Sequence, residues 1–280
     1  MKKYLTIWFI AFLIVSYEYY CLNFTPQLSL LLFLQSKGYI RESLKISAEP
    51  GRTVSLWLGW VGLIAMLLMN FYSMRKRFGF MQNWGKLSSW LNFHVFCGLL
   101  GPMFIFFHCN FKVRGLVAIS FWSMVVSFTS GIIGRYFYVQ LLKARVDFEN
   151  DASQKLSRLD QILEKNKIEA STEEKKVYSN KALAFAGVPQ NTESINPLVA
   201  LASSVAGDFR RSFSDPAIPT NWPPVSKYIL IDYAISYRRA VLLDPFQRLM
   251  GHWHTFHFPF AVFMYLVAIV HVATALILGI

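Results

Sequence analysis

Long apolar runs separated by short polar, cationic ones dominate the first half of this chain. A single apolar run closes it, and a polar stretch of more than a hundred residues lies between. A membrane-crossing helix needs about 20 mostly apolar residues at 1.5 Å rise each. Five stretches approach that length, over residues 4–21, 54–72, 90–109, 116–138 and 256–279. The apolar run at 28–34 is too short to cross and reads as an interfacial or re-entrant helix. Lys2 and Lys3 precede the first run as they would in a signal peptide. The segment from Ser16 to Cys21 offers no small-residue cleavage site, however, so the run reads as an uncleaved anchor.

The pattern predicts an all-α integral membrane helical bundle of about five spans with a helical insert. Residues 1–53 form an anchor span and loop, 54–138 hold spans two to four, 139–255 form the insert, and 256–280 complete the bundle. Within the insert, 146–181 is rich in Lys, Glu, Gln and Leu and predicts a helical hairpin or an extension of span four. After Gly187 the chain turns to Asn, Ser and Pro and predicts an irregular crossing. Residues 228–250 resume an amphipathic pattern, read as a helix lying on the membrane surface.

Composition agrees with a membrane protein and narrows its chemistry. With 54% hydrophobic, 16% aromatic and only 16% charged residues, the chain is too apolar for an ordinary soluble domain. The net charge of +12 sits between apolar spans, where it suits anionic lipid better than nucleic acid. Twelve Lys and Arg flank the spans on the side of the N-terminus and insert against six on the other. The basic side is retained in the cytoplasm, which puts the N-terminus and insert inside and the C-terminus outside. Cys21, Cys97 and Cys109 form no C-x-x-C pair and read as small buried hydrophobes.

All six histidines fall in span three or the last thirty residues. His94 and His108 are fourteen apart, and so are His257 and His271. Fourteen residues return to the same helix face about 21 Å along the axis, so each pair reaches both sides of the hydrocarbon core. Spans three and five run in the same direction, which puts His94 level with His257 and His108 level with His271. Two facing imidazole pairs at two depths can hold two iron porphyrins by bis-histidine ligation, a path for electrons. The alternatives are histidines hydrogen-bonded between helices and a local metal cluster of His252, His254 and His257. His252 and His254 also suit an interfacial place near a propionate or quinone.

Around this set, Gly98 and Gly101 on span three, and Gly131 and Gly134 on span four, allow close approach of a flat macrocycle or of another helix. Arg135 is the candidate partner for a haem propionate, a snorkelling arginine being the alternative. Arg77 and Lys86 are weaker candidates for that role, and Lys112 and Arg114 are candidates at the outer end. No Asp or Glu occurs between Pro50 and Val146 or after Asp244, whereas ion-coupled transporters place carboxylates in their spans.

The H-x13-H spacing on two parallel spans resembles the two-haem membrane cytochromes b. The segments His94-Val95-Phe96-Cys97-Gly98-Leu99-Leu100-Gly101-Pro102, Ser130-Gly131-Ile132-Ile133-Gly134-Arg135-Tyr136 and Trp253-His254-Thr255-Phe256-His257-Phe258-Pro259, with His108 and His271, resemble bacterial ferric-reductase-like transmembrane domains. The resemblance covers spans two to five, about half the chain. It implies His94, His108, His257 and His271 as axial ligands of two haem b groups in a bacterial inner membrane. It also implies c-type cytochrome, iron–sulfur or flavin partners. No Rossmann-like glycine motif occurs, so it does not extend to a flavin or nicotinamide domain in this chain. The expectation is a di-haem electron-transfer subunit working with a quinone pool. The other readings are a haem-free structural or assembly subunit and a stand-alone ferric or quinone reductase.

Overall fold

A computed structural model describes residues 2–110, 113–191 and 195–278; Lys112 lies outside them. Among the described residues the regular structure is helical, with no strand. The α-helices are α1 (Lys2–Phe24), α2 (Leu30–Ser36), α3 (Thr53–Leu68), α4 (Phe71–Arg77), α5 (Leu87–His108), α6 (Leu116–Gln140), α7 (Arg145–Lys165), α8 (Thr172–Phe185), α9 (Pro197–Phe213), α10 (Val225–Val241) and α11 (Leu243–Leu278). Five segments are long and apolar enough to cross a membrane: Lys3–Phe24, Thr53–Arg77, Leu87–His108, Val117–Gln140 and Leu243–Ile277. The protein is an all-α membrane helical bundle. The apolar side chains left exposed along the spans, such as Phe9, Trp57, Trp122 and Ile269, face lipid.

The chain divides into two compact units, residues 1–132 with 257–280, and residues 133–256. The boundaries fall inside α6 and α11 rather than in loops.

In the first unit, α1 runs along α5, where the Trp8 indole donates to the Leu99 carbonyl at 3.2 Å. The short apolar run folds as the seven-residue α2, too short to cross. Glu18 of α1 caps it, its carboxylate accepting from the Ser29 hydroxyl and from the amides of Leu30 and Leu31. These amides belong to the four that a helix start leaves unpaired. Helices α3 and α5 pack closely through glycines: a Cβ on Gly62 would lie 3.1 Å from the Gly101 carbonyl oxygen. Span two is not one helix. It breaks at Met69 and Asn70, where the Asn70 amide bonds the Leu67 carbonyl, three residues back. The Met66 carbonyl thus loses its regular partner. The hydroxyl of Tyr265 on α11 bonds it at 2.5 Å, and the Asn70 side chain bonds it at 3.1 Å.

The second unit departs from the sequence reading in two places. First, the stretch expected to be irregular holds α9. It starts where Asn196 caps the Leu198 amide at 2.9 Å and Pro197 occupies the first turn. Second, α10 is no surface helix. Its Ile229, Leu230, Tyr233 and Ala234 are buried in a core with Leu159 and Leu163 of α7 and Ala182 of α8. The amphipathic period of 228–250 records packing on protein, since α7 and α8 cover the apolar face. Helices α7 and α8 are separate helices that both pack on α10, not an extension of span four, with Ser171 capping α8 through the Glu174 amide at 3.0 Å.

Arg238 of α10 is the buried tie of this unit, with 2% of its side chain exposed. Its guanidinium donates to the Ala186 carbonyl at 2.6 Å, the Ser204 carbonyl at 3.1 Å and the Asp208 carboxylate at 2.8 Å. Tyr136 donates to the same carboxylate at 2.8 Å. Removing a buried charge strands its partners, so Arg238→Ala is expected to cost about 3 kcal/mol. Arg211→Ala, at an exposed pair with Asp208, should cost under about 1 kcal/mol. Thermal unfolding of the detergent-purified variants measures both; equal midpoints would refute the assignment.

Candidate functional site

The four spaced histidines all belong to the first unit, and the rings of three of them are met by backbone or hydroxyl groups. His94 on α5 places Nδ1 2.9 Å from the Met69 carbonyl oxygen, at the break in span two. The Tyr72 ring lies 5.4 Å from its own, centroid to centroid. His108, at the other end of α5, places Nδ1 2.7 Å from the Ser55 carbonyl oxygen. The Ser55 hydroxyl donates to the His108 carbonyl at 2.8 Å and lies 3.3 Å from the same Nδ1. His257 on α11 places Nδ1 2.6 Å from the Ser130 hydroxyl of α6, which donates its own proton to the Ser127 carbonyl at 3.0 Å.

A carbonyl oxygen accepts and cannot donate, so Nδ1 of His94 and of His108 carries the proton. The Ser130 hydroxyl, which can donate or accept, orients the His257 ring. In His94 and His108 the lone pair of the neutral ring is then on Nε2. This is the tautomer a metal-ligating histidine adopts when its second nitrogen donates to a carbonyl or hydroxyl.

His108 and His271 line one cavity of about 360 Å³. Its wall is mainly apolar, with Leu56, Leu63, Ile105, Phe121, Met264 and Val272. That volume lies in the range of small-molecule and cofactor sites. Gly59 allows the arrangement, since a Cβ there would sit 2.7 Å from Nδ1 of His108. Tyr265 borders the cavity and, by its bonds to Met66 and Asn70, fixes α11 against span two.

The remaining candidates fall in several places. The nearest atom to a Cβ on Gly131 would be Cε1 of His257 at 3.9 Å, so this glycine opens space beside that ring. Gly98 faces the Met69 sulfur, and Gly101 lies against Met66 and Gly62 of α3, where close helix packing accounts for it. Gly134 likewise admits the Trp253 indole. Arg135 belongs to the second unit, its guanidinium 5.3 Å from the centre of the Tyr138 ring. His252 and His254 are exposed on the same unit, and His252 Nδ1 bonds the Arg248 carbonyl one turn back at 2.7 Å. Among the described residues no three His, Cys, Asp or Glu side chains converge on a metal-sized position. The donor set is therefore imidazoles without a carboxylate or thiolate cluster.

Reading the sequence for metal ligands overlooked Ser55, Gly59 and the Met69 carbonyl, and gave Ser130 no role. The first two stand four residues apart on one face of α3.

Comparison with protein-family models, with curated proteins and with solved structures finds no match.

The tautomers can be read directly. In ¹⁵N spectra of histidine-labelled apoprotein at neutral pH, His94 and His108 are expected to show a protonated Nδ1 and an unprotonated Nε2. The reverse pattern at either of them would overturn the hydrogen-bond assignment there.

Proposed function

We propose that this chain is a di-haem b-type cytochrome subunit that carries electrons across a bacterial inner membrane. One haem would be held by His94 with His257 and the other by His108 with His271. The observation that carries this reading is that His94 and His108 are held by backbone carbonyls in the tautomer that puts the lone pair on Nε2, while His271 shares an apolar cavity with His108. An axial ligand needs an unprotonated nitrogen and a fixed ring plane, and this tautomer supplies both. When bound, the two porphyrin irons would supply reversible one-electron chemistry, and two strong nitrogen ligands suit transfer rather than oxygen activation.

The chain's own residues do the rest. Met69, Ser55 and Ser130 orient three of the rings and raise their basicity as ligands. The apolar wall around His108 and His271 keeps water out and sets a low local dielectric. Tyr265 holds the register of α11, which carries one ligand of each pair. We place the N-terminus and the second unit in the cytoplasm, from the bias of Lys and Arg toward that side. The partners on this reading are a quinone pool and a c-type cytochrome, iron–sulfur or flavin protein in a larger complex.

Reduced-minus-oxidised spectra with pyridine haemochrome quantification test the proposal on detergent-purified chain. About two b haems per chain are expected, falling to about one in His108→Ala or His271→Ala. Ser130→Ala should keep the haem at His108 and His271 but weaken retention of the other about tenfold. A folded, inserted chain with no haem would sink the proposal in favour of a structural subunit.

A further inference from the structure

Helix α9 presents its apolar side chains outward. Leu198, Phe209 and Phe213 are 67%, 68% and 76% exposed, and Val205 is 48% exposed. Their positions, with Ala202 between, follow the three- and four-residue steps of one helix stripe. The rings of Phe209 and Phe213 pack on each other, 4.8 Å between centroids. The opposite face, against the body of the second unit, is made of small residues: Ala200, Ser204 and Gly207 are all buried.

This inverted arrangement is held rigidly. Gly187, at φ +82°, and Gly207 bring the turn after α8 against the backbone of α9. A Cβ on Gly207 would collide with the Ala186 carbonyl, and one on Gly187 with that of Ser203. Arg238, buried, donates to the Ser204 carbonyl and the Asp208 carboxylate. Rolling the aromatic stripe inward would break all of these contacts. The stripe is a fixed outer surface of this unit.

We propose that α9 is a membrane-surface helix whose stripe beds into the headgroup boundary of the bilayer the chain spans. The second unit is joined at both ends to membrane spans: Val117–Gln140 leads in and Leu243–Ile277 leads out. Only residues 141–144 separate the first from α7, and only Leu242 separates α10 from the second. Such short links keep the bilayer at a high effective concentration, whereas a soluble partner would have to be recruited. The chemistry also matches an interfacial helix. Phe, Leu and Val form one side, and Arg210 and Arg211 stand in the last turn, where anionic headgroups attract them. Arg210 is steadied by the Ala184 carbonyl at 3.2 Å, and Arg211 by Asp208 at 3.4 Å. This inference does not depend on haem binding.

The test uses the full chain, with Cys21, Cys97 and Cys109 replaced, in nanodiscs containing phosphatidylglycerol. A fluorophore is attached to Phe209→Cys or Phe213→Cys, with Ser157→Cys on the exposed face of α7 as reference. Lipid brominated high on its acyl chains is expected to quench the two α9 labels about threefold more than the reference, with iodide quenching them less. Two results would overturn the proposal. One is equal quenching at all three sites. The other is shielding of the α9 labels from both lipid and iodide, which would mean that a second copy of the chain covers the stripe.

Discussion

Within an apolar bilayer a backbone carbonyl without a partner costs free energy that water cannot relieve. That constraint explains the arrangement of the first unit. Where span two breaks at Met69 and Asn70, carbonyls that a regular helix would satisfy turn outward. Tyr265 and Asn70 take up that of Met66, and His94 joins a long bond from the Tyr72 amide at that of Met69. The break and the histidine solve each other's problem. The helix gains a donor, and the imidazole gains an acceptor that fixes both its proton and its plane.

The same logic recurs with different parts at the other two rings. Ser55 offers its carbonyl to His108 while its hydroxyl turns to the His108 carbonyl, binding α3 and α5 in both directions. Ser130 bonds both the Ser127 carbonyl and the His257 ring, which ties α6 to α11. Glycine clears the space beside His108, where a Cβ on Gly59 would press on the ring.

Much of this was legible in the sequence. Apolar length alone located the five spans, because hydropathy integrates over some twenty residues and tolerates local error. The spacing of the histidines marked the residues worth following, because helical phase is fixed by geometry. The break in span two was invisible, since Met69 and Asn70 carry neither proline nor glycine and the apolar pattern continues past them. Helix α9 was hidden by the prolines and serines around it, and its start at Asn196–Pro197 read as a turn. The face of α10 was misassigned because amphipathic periodicity gives a helix an inside without saying whether lipid or protein lies there. Gly101 illustrates a related limit: a glycine near a ligand looks the same in sequence whether a cofactor or, as here, α3 fills the space.

Tyr265 sits eight residues after His257 and six before His271, near the midpoint between them. Its hydroxyl, joined to Met66 and Asn70, acts as a dowel through the middle of a rod. A rod pinned at one end accumulates its whole positional error at the other. Pinned near the centre, it divides thermal stretch and bending between two arms of about 12 and 9 Å. Both histidines of α11 then inherit comparable, small tolerances from one fastening, set apart from either ring.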